Sequence, residues 1–198
     1  MSAPFVLTSD NEALAQRIIA KYPHGRQASA VIPLLDIVQR QNGGWLSREA
    51  MDFVAQRLDM PAIRVYEVAS FYTMFNLKPI GRHFVQVCTT TPCWLRGSDA
   101  IVHACEKRLG IGLGDTTADG AFTLVEVECL GACVNSPMVQ VGDDYYEDLT
   151  PETMTQILDD LAAGRQPRVG PQSGRKTSEP LPGLTTLTDA AVQTGGTD

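Results

Sequence analysis

The chain carries five cysteines, and four of them fall in two short runs, "CTTTPC" at 88–93 and "CLGAC" at 129–133. Thiolates attack disulfides or bind soft metals, so these runs must serve redox exchange or ligation. Exchange enzymes place two cysteines two residues apart at a helix start, and no C-x-x-C occurs in this sequence. Ligation is therefore the leading reading, with zinc and an iron–sulfur cluster as the candidate groups. Structural zinc loops often leave two residues between paired ligands, so the wider spacing here disfavours zinc without excluding it. A two-iron cluster needs two thiolates per iron, and one run per iron is the simplest assignment.

The loop residues suit such a role. Thr89, Thr90 and Thr91 bring hydroxyls near the sulfurs, Gly131 permits close backbone approach, and Arg96 follows Cys93 closely. Hydrogen bonds and positive charge at a cluster favour its reduced form and raise its potential. Cys105 shares an apolar helical face with Ile101, Val102 and Leu109, so it reads as a core residue and not a fifth ligand. His24, His83 and His103 recur at no ligand spacing. The glycines of "IGLGDTTADG" depart from the dinucleotide fingerprint in spacing and context.

A net charge of −7 and a pI near 4.9, with no basic run longer than Arg175-Lys176, argue against nucleic acid as a partner. The N-terminal residues lack the basic and apolar regions of a secretory signal, and no apolar run reaches membrane-spanning length. The reading is a chain in, or facing, the cytosol, where a disulfide framework is not expected.

Two kinds of element must position the thiols. Over 11–72 apolar residues recur at helical spacing, broken by "PHG" and "NGG"; Ser47 reads as the cap of a third helix and Pro61 as the start of a fourth. From 82 the pattern changes: "RHFVQVC" reads as a strand delivering Cys88, residues 95–109 as a helix, and "FTLVEVE" as a strand ending at Cys129. "MVQV" and "YYED" flank Gly142 as a hairpin, and a last helix runs from a Thr150 cap and Pro151 to a stop at Gly164. The order is that of a thioredoxin-like core. The expected class is α+β: a helical unit at 1–80, a thioredoxin-like domain at 81–165, and an extended tail at 166–198. The tail has no apolar period, so it should order only on a partner, along which Leu181, Leu184 and Leu187 would lie. Pro137, just before "MVQV", stands where thioredoxin-like folds carry a cis-proline.

"CTTTPCWLRGSDAI" and "ECLGACVNSPMVQV", preceded by "GGWLS" and "VASFYTMF", resemble the thioredoxin-like [2Fe–2S] subunits of respiratory complex I, the E-subunit family of NADH:quinone oxidoreductases. The resemblance covers most of residues 11–164. It implies a [2Fe–2S] cluster on Cys88, Cys93, Cys129 and Cys133, exchanging electrons with an FMN on a partner subunit that also binds NADH. The chain would then be part of an oxidoreductase and translocase while inactive alone. Its partners would be that flavin-bearing subunit and further peripheral-arm iron–sulfur subunits, on the cytoplasmic side of the inner membrane and without a span of its own. Related subunits serve NAD-dependent formate dehydrogenases and NAD-reducing hydrogenases, which stay open as alternatives, as does a zinc-stabilised interaction module. The helical unit and the tail are the expected docking elements.

Overall fold

A computed structural model describes residues 4–183, 185 and 186. The chain divides into two units, Met1–Ile80 and Gly81–Asp198.

In the first unit, amphipathic segments form α1 (Ser9–Ile19), α2 (Val31–Gln41), α3 (Arg48–Arg57) and α4 (Ala62–Phe71). Their starts follow from capping chemistry: the hydroxyls of Thr8 and Ser47 accept the N–H groups of Asn11 and Ala50, which have no partner inside the helix. Pro61 stands just before α4, where a missing N–H costs nothing. Leu34, Leu35, Val38, Leu46, Val54 and Val65 fill the core between these helices.

The second unit is built on a sheet of order β2-β1-β3-β4-β5. Its strands are β1 (His83–Cys88), β2 (Phe122–Val127), β3 (Val139–Val141), β4 (Asp144–Glu147) and β5 (Gly170–Pro171). β1 runs parallel to β2 and antiparallel to β3, so Val87 lies opposite both Glu126 and Val139. Strands central to a sheet bury both faces, which is why Val85 and Val87 have no exposed surface. α6 (Ser98–Leu109) and α7 (Pro151–Ala162) pack Ile101, Cys105, Met154 and Leu158 against the same core as Leu124, Val139 and Tyr146. Thr150 caps α7 in a reciprocal box with Thr153. The architecture is the expected α+β, thioredoxin-like order. Gly81 enters the sheet where only glycine fits, since a Cβ there would meet the Phe122 backbone at 2.6 Å.

Three local expectations differ from what is found. β2 stops at Val127, two residues before Cys129, because the chain must leave the sheet to form a ligand loop. Residues Thr91–Leu95 form a short helix, α5, with Pro92 in its first turn; Gly97, at φ +93°, then separates it from α6. The third is a correction. The segment after Gln166 does not wait for a partner over residues 170–179. β5 extends the sheet beside β4, the Gln172 N–H donates to the Glu147 carbonyl at 2.9 Å, and Arg175 and Asp148 form a buried ion pair. Edge pairing and one buried charge pair supply contacts that an apolar period does not reveal. Leu181 is exposed, while Leu184 and Leu187 lie outside the described residues. No helix among the described residues is long and apolar enough to cross a membrane.

Candidate metal centre

Each thiol owes its place to a strand end. β1 delivers Cys88 at its last residue, and the chain turns at Thr90 into α5, which holds Cys93. β2, hydrogen-bonded in parallel to β1, ends beside it and releases the loop of Cys129, Gly131 and Cys133. Gly131 turns that loop at φ +87°, a conformation costly for side-chain-bearing residues. Cys133 opens a tight turn, Cys133–Asn135, from which a cis Ser136–Pro137 peptide leads into β3.

The sulfurs lie as two pairs. Cys129 and Cys133 Sγ atoms are 3.4 Å apart, and the Cys93 thiol donates to Cys88. The first pair is solvent-accessible, whereas Cys88 and Cys93 are 2% and 1% exposed. Three backbone N–H groups, of Leu130, Met138 and Gly131, donate to the sulfurs of Cys88, Cys93 and Cys129 respectively. The Thr90 hydroxyl lies 3.4 Å from Cys88 Sγ and also bonds Cys129. Of the three hydroxyls read from the sequence, the Thr89 hydroxyl instead donates to Glu126 at 2.7 Å.

These contacts split the acidities within each pair. Burial pushes the Cys88 thiol up, but hydrogen bonds from Thr90, Leu130 and Cys93 outweigh it and leave the group below its ordinary value. Burial and the neighbouring Cys88 push Cys93 up to about 12. The Gly131 N–H, the Cys133 thiol and Thr90 draw Cys129 down, while its partner Cys133 is raised by holding the proton between them. Each pair is thus poised to hold one thiolate and one thiol, and ligation of a cation must release the second proton.

The donor set fits a two-iron cluster. It is all sulfur, and the sulfurs come as two pairs with backbone donors aimed at them. Among the described residues no three Cys, His, Asp or Glu groups surround one point closely enough for a single ion, as a tetrahedral zinc would need. Cys105 is fully buried in the core, where burial raises its thiol to about 12. The His83 ring stacks at 5.0 Å on Phe122.

Sequence reasoning missed the residues that hold the second loop from behind. The Arg175 guanidinium donates to the Val134 carbonyl at 2.9 Å, and Asn135 Nδ2 donates to the Thr177 carbonyl at 2.8 Å. No local pattern could reveal contacts between residues some forty apart in sequence.

The family model of the thioredoxin-like [2Fe-2S] ferredoxins matches residues 15–162. The chain is 53% identical over 189 residues to the mitochondrial NADH dehydrogenase [ubiquinone] flavoprotein 2 of Dictyostelium discoideum, covering 96% of this chain and 76% of that protein. It is 60% identical over 157 residues to the NADH-quinone oxidoreductase E-subunit of Rickettsia conorii, covering 79% of this chain and 94% of the relative. Among solved structures, an NAD+-reducing [NiFe]-hydrogenase in its air-oxidized state superposes with a TM-score of 0.59 at 19% identity, over 66% of this chain and 23% of the hydrogenase chain. That last likeness is one of fold. With the paired thiols at the ends of parallel strands and a family model spanning most of both units, this chain belongs to the thioredoxin-like [2Fe-2S] ferredoxin family.

Proposed function

We propose that this chain is the thioredoxin-like electron-transfer subunit of an NADH:quinone oxidoreductase, with Cys88, Cys93, Cys129 and Cys133 as the ligands of one [2Fe–2S] cluster. FMN and NADH belong to a partner subunit in this reading, and the assembly sits on the cytoplasmic side of the inner membrane. The observation that carries it is the gathering of the thiols as two contacting pairs, Cys88 with Cys93 and Cys129 with Cys133, in a chain 53–60% identical to named complex I subunits. The hydrogenase likeness, at 19% identity, supports the fold without favouring hydrogenase as the acceptor.

When bound, the cluster supplies one-electron redox chemistry. The chain's own part is to set its surroundings. Cys88 and Cys93 lie buried under Met138, which keeps water from that side, while Cys129 stays accessible. The N–H groups of Leu130, Gly131 and Met138 and the Thr90 hydroxyl stabilise negative charge on the sulfurs. Beside the accessible pair lie Leu95, Arg96, Val134 and Leu181, the three aliphatic side chains all more than 60% exposed. An apolar rim of this kind suits docking of the flavin-bearing subunit close to the thiols.

Iron and sulfide analysis of protein isolated anaerobically, with electron paramagnetic resonance after reduction, tests the reading. About two irons and two sulfides per chain with a reduced-state signal are expected. Stoichiometric zinc with no iron would overturn it. The isolated chain should not oxidise NADH, and bleaching of its visible bands by NADH should begin only when the flavin-bearing partner is added.

A further inference from the structure

We propose that residues 172–179 form a strap that holds the loop of Cys133 in place, with Arg175 as its positioning residue. The inference rests on the cluster reading above for its meaning, though the contacts stand independently of it.

The strap is anchored to the sheet before it reaches the loop. Gln172 N–H donates to the Glu147 carbonyl, continuing the β4–β5 pairing, and the Ser173 hydroxyl donates to Asp148 Oδ2 at 2.7 Å. Arg175 then does three things with one planar group. Its Nε donates to Asp148 Oδ2 at 2.6 Å, Nη1 to the Glu179 carbonyl at 3.1 Å, and Nη2 to the Val134 carbonyl at 2.9 Å. The first closes the strap on the sheet, the second folds the strap on itself, and the third seizes the residue after Cys133.

The next loop residue is held from both sides. Asn135 is buried, its Nδ2 donates to Glu147 at 2.7 Å and to the Thr177 carbonyl at 2.8 Å, and its carbonyl accepts the Asp148 N–H at 2.7 Å. Thr177 and Asp148 both adopt positive φ, at +44° and +51°, and such a conformation persists in non-glycine residues only where surrounding contacts over-determine it. Two consecutive residues after Cys133 are thereby fixed to a segment some forty residues later. Cys133 is partly exposed and sits in a short turn, so without the strap little besides the turn itself would restrain its sulfur.

The fork geometry of Arg175 makes a specific demand. Lysine keeps the charge and can pair Asp148, but it cannot serve three acceptors from one rigid plane. In the full chain with its cluster reconstituted, Arg175→Ala and Arg175→Lys should both release iron to a chelator faster, on the order of tenfold for Ala and less for Lys. Amide exchange on the same full chain without metal should speed at Asn135 and Asp148 while β1 and β2 keep their protection. These results together support the strap, and the metal-free exchange decides it even if no iron is found in the parent chain, which would count against the cluster reading alone. Wild-type exchange at Asn135 and Asp148 in Arg175→Ala would overturn the strap. So would loss of protection throughout the sheet, since Arg175 would then be a general stabiliser, or iron release at the parent rate from a chain shown to hold iron.

Discussion

Arg175 Nε donates to Asp148 Oδ2 at 2.6 Å with the two side chains only 7% and 8% exposed, which joins the tail to the sheet by an ion pair out of water. Burial raises the Asp148 carboxyl, but the guanidinium and the Ser173 hydroxyl outweigh it and hold the group below its ordinary 3.8. Arg96 adds to the lowering, and Glu147 and Glu179 lie in the field of Arg175. A carboxyl depressed in the folded state contributes stability above its unfolded value and loses it as pH falls through the folded one. Protection of residues 170–179 in pulsed amide exchange should therefore hold from neutrality to about pH 4 and fall below it. Asp148→Asn should abolish that dependence and weaken docking at neutral pH by roughly 3 kcal/mol. A profile flat into strong acid would contradict this.

Cys129→Ala should abolish or distort the reduced-state paramagnetic signal, because one iron loses a thiolate. Cys105→Ala should preserve both signal and iron content while costing about 1–2 kcal/mol for the cavity left in the core. Equal iron in both variants would reject Cys129 as a ligand.

Thr90→Val keeps the shape of the side chain and removes the hydroxyl that bonds Cys88 and Cys129. With one fewer donor to the sulfurs, the reduced form loses support, and the midpoint potential should drop on the order of 60 mV, a tenfold change for a one-electron couple. Redox titration checks it; an unchanged or higher potential would show that the hydroxyl does not stabilise the added electron.

Gly81→Ala should destabilise the second unit by roughly 1–3 kcal/mol, since its Cβ would press on Phe122 backbone atoms that cannot swing aside as a side chain could. Thermal unfolding measures it. Cluster-loaded protein that does fold should retain the parent spectrum, because Gly81 lies at the start of β1, away from the thiols.

Leu95→Glu places a charge on the exposed apolar rim without touching a ligand. Pull-down by the flavin-bearing partner should weaken several-fold while iron content and visible spectrum stay as in the parent chain. Undiminished association would move the docking surface elsewhere.

Much of this molecule was legible locally. Helix starts at Thr150 and Ser47 are a property of a hydroxyl and the next few N–H groups, and β1 is a property of alternating apolar residues that cannot be solvated on both faces. The four ligand candidates were legible because thiols are scarce and chemically distinctive, and Cys105 could be set apart because it repeats with Ile101 on a helical face. α5 was not legible: five residues carry too little periodicity to separate from a turn, and Gly97 ends them before a pattern develops.

What the sequence alone determined, then, is the donor chemistry and the elements that carry it, since both depend on residue type and on neighbours within a few positions. The tertiary structure decided which sulfurs pair, which backbone N–H groups face them, and that the tail belongs to its own domain. Those outcomes depend on groups brought together by strand pairing and burial, such as Val134 with Arg175 and Asp148 with Arg175, whose separation along the chain leaves no local trace. A charged residue in a Gly- and Pro-rich segment reads as solvated until the fold supplies the carboxylate and carbonyls that make its burial favourable.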